Sequence, residues 1–235
     1  MQPPVAAVIE AHGTLQKVLV DLDDEQVMEP SALPGWSRGH VLAHLTDNAR
    51  MFARIAEHAL HGELVETYDG GADERNAIIE ATAGRSATGH RAALAAQTAR
   101  LESAWADVSG QDWSRPVRFR DADIAATVYA RWREVWIHMA DLDLGVRPDD
   151  WPVDLASHAI GFLLTRLPAG TSLSAEDTHR QWSTVGEPRT VVTGSVRDLA
   201  AWLAGRTPVI PPASPDGLPH LGPWPPHSPP QPHSA

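Results

Sequence analysis

Glu134 and His138 are the first residues in this chain whose types and spacing suggest chemistry. They sit in the stretch REVWIHMADLD. On a helix, residues four apart stack with Cβ atoms about 6 Å from each other. At about 100° per residue, both fall beside the apolar stripe built around Val135, not opposite it. A carboxylate and an imidazole placed that way can grip one cation from a single helix. The pair alone is a weak signal, since Glu and His recur at this spacing on solvated helix faces. The stretch HVLAHL adds His40 and His44 at the same spacing. His44 lies about 60° round from Val41, again at the edge of an apolar stripe. By themselves these two read as one satisfied histidine at the bundle edge and one solvated one. Together, His44, Glu134 and His138 form a two-histidine, one-carboxylate set. Three protein ligands leave a fourth position open, the arrangement of catalytic Zn²⁺ sites. The same set holds Fe²⁺ or other divalent ions.

Such residues need rigid helices to position them. Val5, Val8, Leu15, Val18, Leu19 and Leu22 recur at helical spacing and predict a helix over 4–23. Pro34-Gly35 marks a turn, and Ser37 is a good N-cap for a second helix over 37–61. A long polar loop follows, with a short helix expected at 74–82. Alanine and leucine favour a helix over 88–108, and the next runs over 124–144. This is a mainly α architecture, a four-helix bundle that can build a cofactor site from inward-facing side chains. The pattern changes after GVRPDDWP. A helix over 153–167, two or three short strands and a closing helix capped by Ser195 read as a small α/β domain. The expected organisation is a metal-binding bundle at 1–148, the α/β domain at 149–206 and a Pro/His-rich tail at 207–235. That tail holds 11 of the 20 prolines, so it should be extended or disordered, with Trp224 and Leu221 able to dock it.

Composition narrows the function classes. The formal net charge is −11, which argues against nonspecific binding to nucleic acid or anionic membranes. No stretch approaches the ~20 apolar residues of a membrane span. The N-terminus lacks the pattern of a secretory signal, so a cytoplasmic protein is expected. There is no cysteine, hence no thiolate ligand and no cysteine nucleophile.

Three segments carry a resemblance to a known family: LPGWSRGHVLAHL, REVWIHMADL about 90 residues later, and VVTGSVRDLAAWLAGR. In this order they resemble the mycothiol-dependent maleylpyruvate isomerases, within the DinB-like metal-binding superfamily. The segment ADERNAIIE, around Arg75 and Asn76, looks similar too. The resemblance runs to Arg206 and leaves out the tail. It implies a DinB-like four-helix bundle followed by a small α/β domain. It implies His44, Glu134 and His138 as metal ligands, with zinc or another divalent ion. It also implies a role for Arg206 in catalysis or substrate binding, although an arginine at a helix C-terminus complements the macrodipole without any such role.

In that reading mycothiol is the thiol cosubstrate, a metal-activated thiolate adds to the cis double bond of 3-maleylpyruvate, and elimination gives 3-fumarylpyruvate. The substrate is a small carboxylate, so a cationic anchor is needed, with Arg206 ahead of Arg75, Arg131 and Arg133. Asp141 and Asp143 are expected as solvated helix-end carboxylates, the alternative being that they orient imidazoles. His40 receives no ligand role. A monomer is expected. Two alternatives stay open: a mycothiol S-transferase acting on another electrophile, and a non-catalytic metal- or thiol-binding protein.

Overall fold

The computed structural model describes residues 2–225. They group into two compact units that divide between Gly145 and Val146. In the first unit, α1 (Val5–Val18) ends sooner than its apolar repeat suggests. Leu19 and Leu22 are buried in the turn that follows it. A short helix, α2 (Asp24–Met28), then starts at a capping box. The Asp23 carboxylate accepts from Gln26 N–H, and the Gln26 side chain accepts from Asp23 N–H. The long helices are α3 (Arg38–Leu60), α4 (Gly71–Ala83), α5 (Ala87–Ala106) and α6 (Ile124–Asp141). The pairs α1–α5, α5–α3, α3–α6 and α6–α1 pack into a closed four-helix ring, and α4 lies against α3. Leu15, Leu42, Leu45, Phe52, Leu101 and Ile124 fill its interior, all fully buried. The helix expected at 74–82 is longer than its weak pattern indicates, beginning at Gly71.

A polar network crosses this apolar core. Arg131, fully buried on α6, donates Nη1 to the Leu45 carbonyl and to Asn48 Oδ1 on α3, and Nε to His12 Nε2 on α1. His12 Nδ1 in turn lies 2.8 Å from Glu102 Oε1 on α5. One guanidinium thus ties together the four helices of the ring. Burial lowers the Arg131 pKa to about 10, which leaves it charged at neutral pH. Burial also lowers His12 to about 4, against the hydrogen bond to Glu102 that raises it.

The second unit carries α7 (Val153–Leu163), a three-stranded sheet and α8 (Val196–Leu203). The sheet order is β2-β1-β3, with β1 (Thr171–Ala175) antiparallel to β2 (Gln181–Ser183) and parallel to β3 (Thr190–Gly194). Leu173 pairs with Val192, both fully buried. Ser195 caps α8 by accepting from Asp198 N–H. The proline-rich segment after Arg206 contains no helix in its described part but is fastened down. Ala213 and Thr193 exchange two backbone hydrogen bonds. Arg166 accepts from Gly222 N–H through its carbonyl and donates Nε to the Gly222 carbonyl. Its guanidinium stacks 5.5 Å from the Trp224 ring centroid. His220 is exposed, while His227 and His233 lie outside the described residues. Among those residues, no helix is long and apolar enough to cross a membrane.

Two stability effects follow. A Cβ at Gly39 would fall onto the Ala83 carbonyl oxygen, where α3 crosses the end of α4. Gly39→Ala should cost about 1–3 kcal/mol despite alanine's better helix propensity, read as a lower urea midpoint. His12 binds its proton less readily folded than unfolded, so the unfolded state takes up more protons between pH 6.5 and about 4. Unfolding free energy should therefore fall as pH drops through that window, and His12→Asn should flatten the decline.

Candidate metal centre

The segment from Trp36 to His44 builds one wall of the site, and each residue has a separate task. Ser37 and His40 form a capping box at the start of α3, with His40 Nδ1 2.7 Å from Ser37 Oγ. His40 is thereby assigned to the cap. Arg38 is almost fully buried. It donates Nε to the Leu142 carbonyl at the end of α6 (2.7 Å) and also pairs with Glu29. Ala32 N–H donates to the Asp141 carbonyl at 2.9 Å. These bonds pin the start of α3 to the end of α6 and set the register in which His44 faces α6. The Trp36 ring sits edge-on to His44, 5.9 Å between centroids.

The structure brings His44, Glu134 and His138 together, each offering one ligand atom, with all three atoms within 4.8 Å of one another. His44 Nε2 lies 2.8 Å from Glu134 Oε2, and His138 Nε2 lies 3.3 Å from the same oxygen. The two imidazoles meet edge to face at 4.7 Å. His44 is buried, while the Glu134 side chain remains 33% exposed, so the cluster is reachable from solvent. Two nitrogen donors and one carboxylate oxygen suit a divalent cation with an open position. Burial pushes the Glu134 carboxyl up, but hydrogen bonds from His138 and His44 outweigh it and hold it well below the usual range. Burial lowers His44, only partly opposed by Glu134. At His138 burial also lowers the pKa, but hydrogen bonds to Asp141 and Glu134 leave it raised.

Asp141 departs from its expected place in solvent. It is buried, and its Oδ2 lies 2.8 Å from His138 Nδ1, fixing that ring with Nε2 toward Glu134. Asp143 is exposed, as expected. Arg131 is no substrate anchor, because it is committed to the core network. Arg133 is buried, and burial lowers its pKa to about 10 against the opposing charge of Glu134. Arg75 reaches the cluster from α4, with Nη2 3.1 Å from His44 Nδ1. Arg120 is a residue that pattern reading missed. It and Asp121 adopt left-handed backbone at φ +57° and +48°, and burial lowers the Arg120 pKa while the charge of Glu134 raises it. No sequence signal marks two successive non-glycine residues for that conformation. Arg206 lies in the second unit, just past α8. Its Nη1 donates to the Ala204 carbonyl at 2.6 Å, and its guanidinium lies 5.9 Å from the Trp224 ring centroid.

Comparison with known proteins places this geometry in context. Residues 8–143 match the family model described as the mycothiol maleylpyruvate isomerase N-terminal domain. Two crystal structures share the fold at a TM-score of 0.83, each covering 94% of this chain and 95% of its own. One is the mycothiol-dependent maleylpyruvate isomerase, at 25% identity. The other is a histidine-to-alanine mutant of the mycothiol-dependent maleylpyruvate isomerase, at 24% identity. No curated protein gives a significant match.

Substituting His44, Glu134 or His138 by Ala should each abolish stoichiometric divalent metal in the purified protein, measured by plasma mass spectrometry. Full metal retention by any variant would remove that residue from the ligand set. Asp141→Asn should keep the metal but weaken it by about 10–100-fold in a competition titration with a chelator.

Proposed function

Because the matched segment spans more than half of its length, this chain belongs to the mycothiol maleylpyruvate isomerase family, and from that premise we propose that it is a metal- and mycothiol-dependent isomerase. It would convert 3-maleylpyruvate to 3-fumarylpyruvate. The observation that carries this reading is the convergence of His44, Glu134 and His138 within the family-matched segment. A divalent cation held there, most simply Zn²⁺, would lower the pKa of a coordinated thiol and keep it as a thiolate. The chain has no cysteine of its own, so the nucleophile must come from the cosubstrate.

The protein's own residues have defined tasks in this scheme. Asp141 holds the His138 ring so that its Nε2 lone pair faces the ligand position. Glu134 stays ionised, which supplies one negative charge against a divalent ion. The buried bundle behind the triad excludes water from one side of the reaction. Addition of the thiolate to the cis double bond leaves a single bond about which the substrate can rotate. Elimination then restores the double bond in the trans geometry and expels the same thiolate. Both ends of the substrate carry negative charge, and a chain of net charge −11 needs local cations to receive it. Arg206 is proposed for this role on the resemblance of its segment, where a guanidinium would bind a carboxylate bidentately.

Purified, metal-loaded protein mixed with mycothiol and maleylpyruvate should remove the substrate's ultraviolet absorbance, and omission of mycothiol should stop the loss. Arg206→Lys should raise KM at least about 10-fold, since lysine cannot make the bidentate contact. No turnover with all components present would overturn the isomerase reading in favour of thiol transfer to another electrophile.

A further inference from the structure

Arg75, near the start of α4, touches a triad histidine from outside. Its Nη2 lies 3.1 Å from His44 Nδ1, and its Nη1 donates to Asn76 Oδ1 at 3.2 Å. Neither partner is an anion, and no ion pair involves Arg75 among the described residues. Asp47, one turn beyond His44 on α3, is already engaged by the Tyr68 hydroxyl at 2.5 Å and by Arg50 Nε at 2.7 Å. A half-buried positive charge therefore stands beside the triad without a carboxylate of its own.

The contact constrains the His44 ring. A guanidinium only donates, so His44 Nδ1 must accept. The ring proton is then on Nε2, directed at Glu134 Oε2 2.8 Å away. Coordination of a cation by Nε2 demands the other tautomer, with the Nε2 lone pair on the metal and the proton on Nδ1. Two N–H groups would then confront each other across 3.1 Å. The Arg75 contact and a metal-coordinated His44 exclude one another.

We propose that Arg75 is an exchangeable arm: it rests on His44 Nδ1 while Nε2 faces Glu134, is released when a divalent cation takes Nε2, and then receives a carboxylate of an anionic substrate beside the triad. This rests on the triad holding a cation, as proposed above. Release couples the two ligands. Metal binding presents a guanidinium to the anion, and by linkage the anion strengthens metal binding to the same extent. Arg75 is in this sense a positioning and anchoring residue, distinct from the three that would hold the cation.

The test is calorimetric titration of Zn²⁺ into metal-stripped wild type and Arg75→Met, with and without maleate as a small cis-dicarboxylate probe. Removing one competing hydrogen bond should let Arg75→Met bind Zn²⁺ about five-fold tighter than wild type without maleate. Maleate should tighten Zn²⁺ binding by wild type and leave Arg75→Met unchanged. In ¹⁵N-labelled wild type, the Arg75 Nε resonance should move on adding Zn²⁺ and move again on adding maleate, a response that a simple change in charge at residue 75 would not produce. Equal Zn²⁺ affinities, equal maleate effects or an Arg75 resonance that ignores Zn²⁺ would overturn the proposal alone. Absence of Zn²⁺ binding by the wild-type protein would overturn the metal reading, and this inference with it.

Discussion

A single carboxylate oxygen of Glu134 is shared by two imidazoles that come from two different helices. His138 arrives on the same helix and is placed by local periodicity. His44 arrives on α3, and its position depends on how α3 lies against α6 to within an ångström. A slide of one helical turn, about 5.4 Å, would carry His44 out of reach. Much of the first unit can be understood as the means of preventing that slide. Arg38 and Ala32 hold the start of α3 to the end of α6, and Arg131 holds their middles together through the Leu45 carbonyl and Asn48. Apolar side chains pack without strong directional preference, whereas hydrogen bonds to a buried guanidinium fix both distance and direction.

The same design explains why so many charged groups lie inside a small bundle. Burying an arginine is costly unless its donors are satisfied. Arg131 meets most of that condition, with carbonyl, amide and imidazole acceptors on neighbouring helices for Nε and Nη1 and none among the described residues for Nη2, so its charge serves registration. Arg133 and Arg120 are of a different kind. Burial makes their charged forms less favourable, while the charge on Glu134 favours them. The left-handed backbone at Arg120 and Asp121 belongs to this set, since such strain persists where surrounding structure enforces it. An acidic chain thus carries a local concentration of positive charge around the cluster of His44, Glu134 and His138.

The segment GWSRGH has an architectural meaning. Trp36 lies against the histidine rings, Ser37 and His40 close the cap, Arg38 clamps the two helices, and Gly39 lets α3 cross the last carbonyl of α4. Five successive positions, Trp36 to His40, are each set by a different physical demand. Only the residue four places beyond it, His44, belongs to the triad itself. The second unit follows its own logic. Two neighbouring strands, β1 and β3, run parallel and α8 packs against them, while the proline-rich segment lies extended and is held at Ala213, Gly222 and Trp224.

The sequence by itself marked the long helices, the small sheet and the residues that cluster, but not the short α2, whose five residues carry no apolar repeat. The i,i+4 spacing of Glu134 and His138 is a local property of one helix, and Ser37 and Ser195 cap the helices they precede for equally local reasons. It also marked the proline-rich segment as non-helical, because each proline lacks the donor a helix needs. Tertiary structure alone decided the rest. Asp141 reads as a helix-end carboxylate until packing buries it against His138. Arg131 reads as a candidate anchor until three neighbouring helices close around it. Arg75 gains its place only because α4 lies across α3, and Trp224 fastens its segment only because Arg166 and Phe162 meet it from distant positions in the chain. Spacing along a chain fixes which residues share a helix face. It does not fix which face of another helix they meet, and that is set by the packing of the whole core.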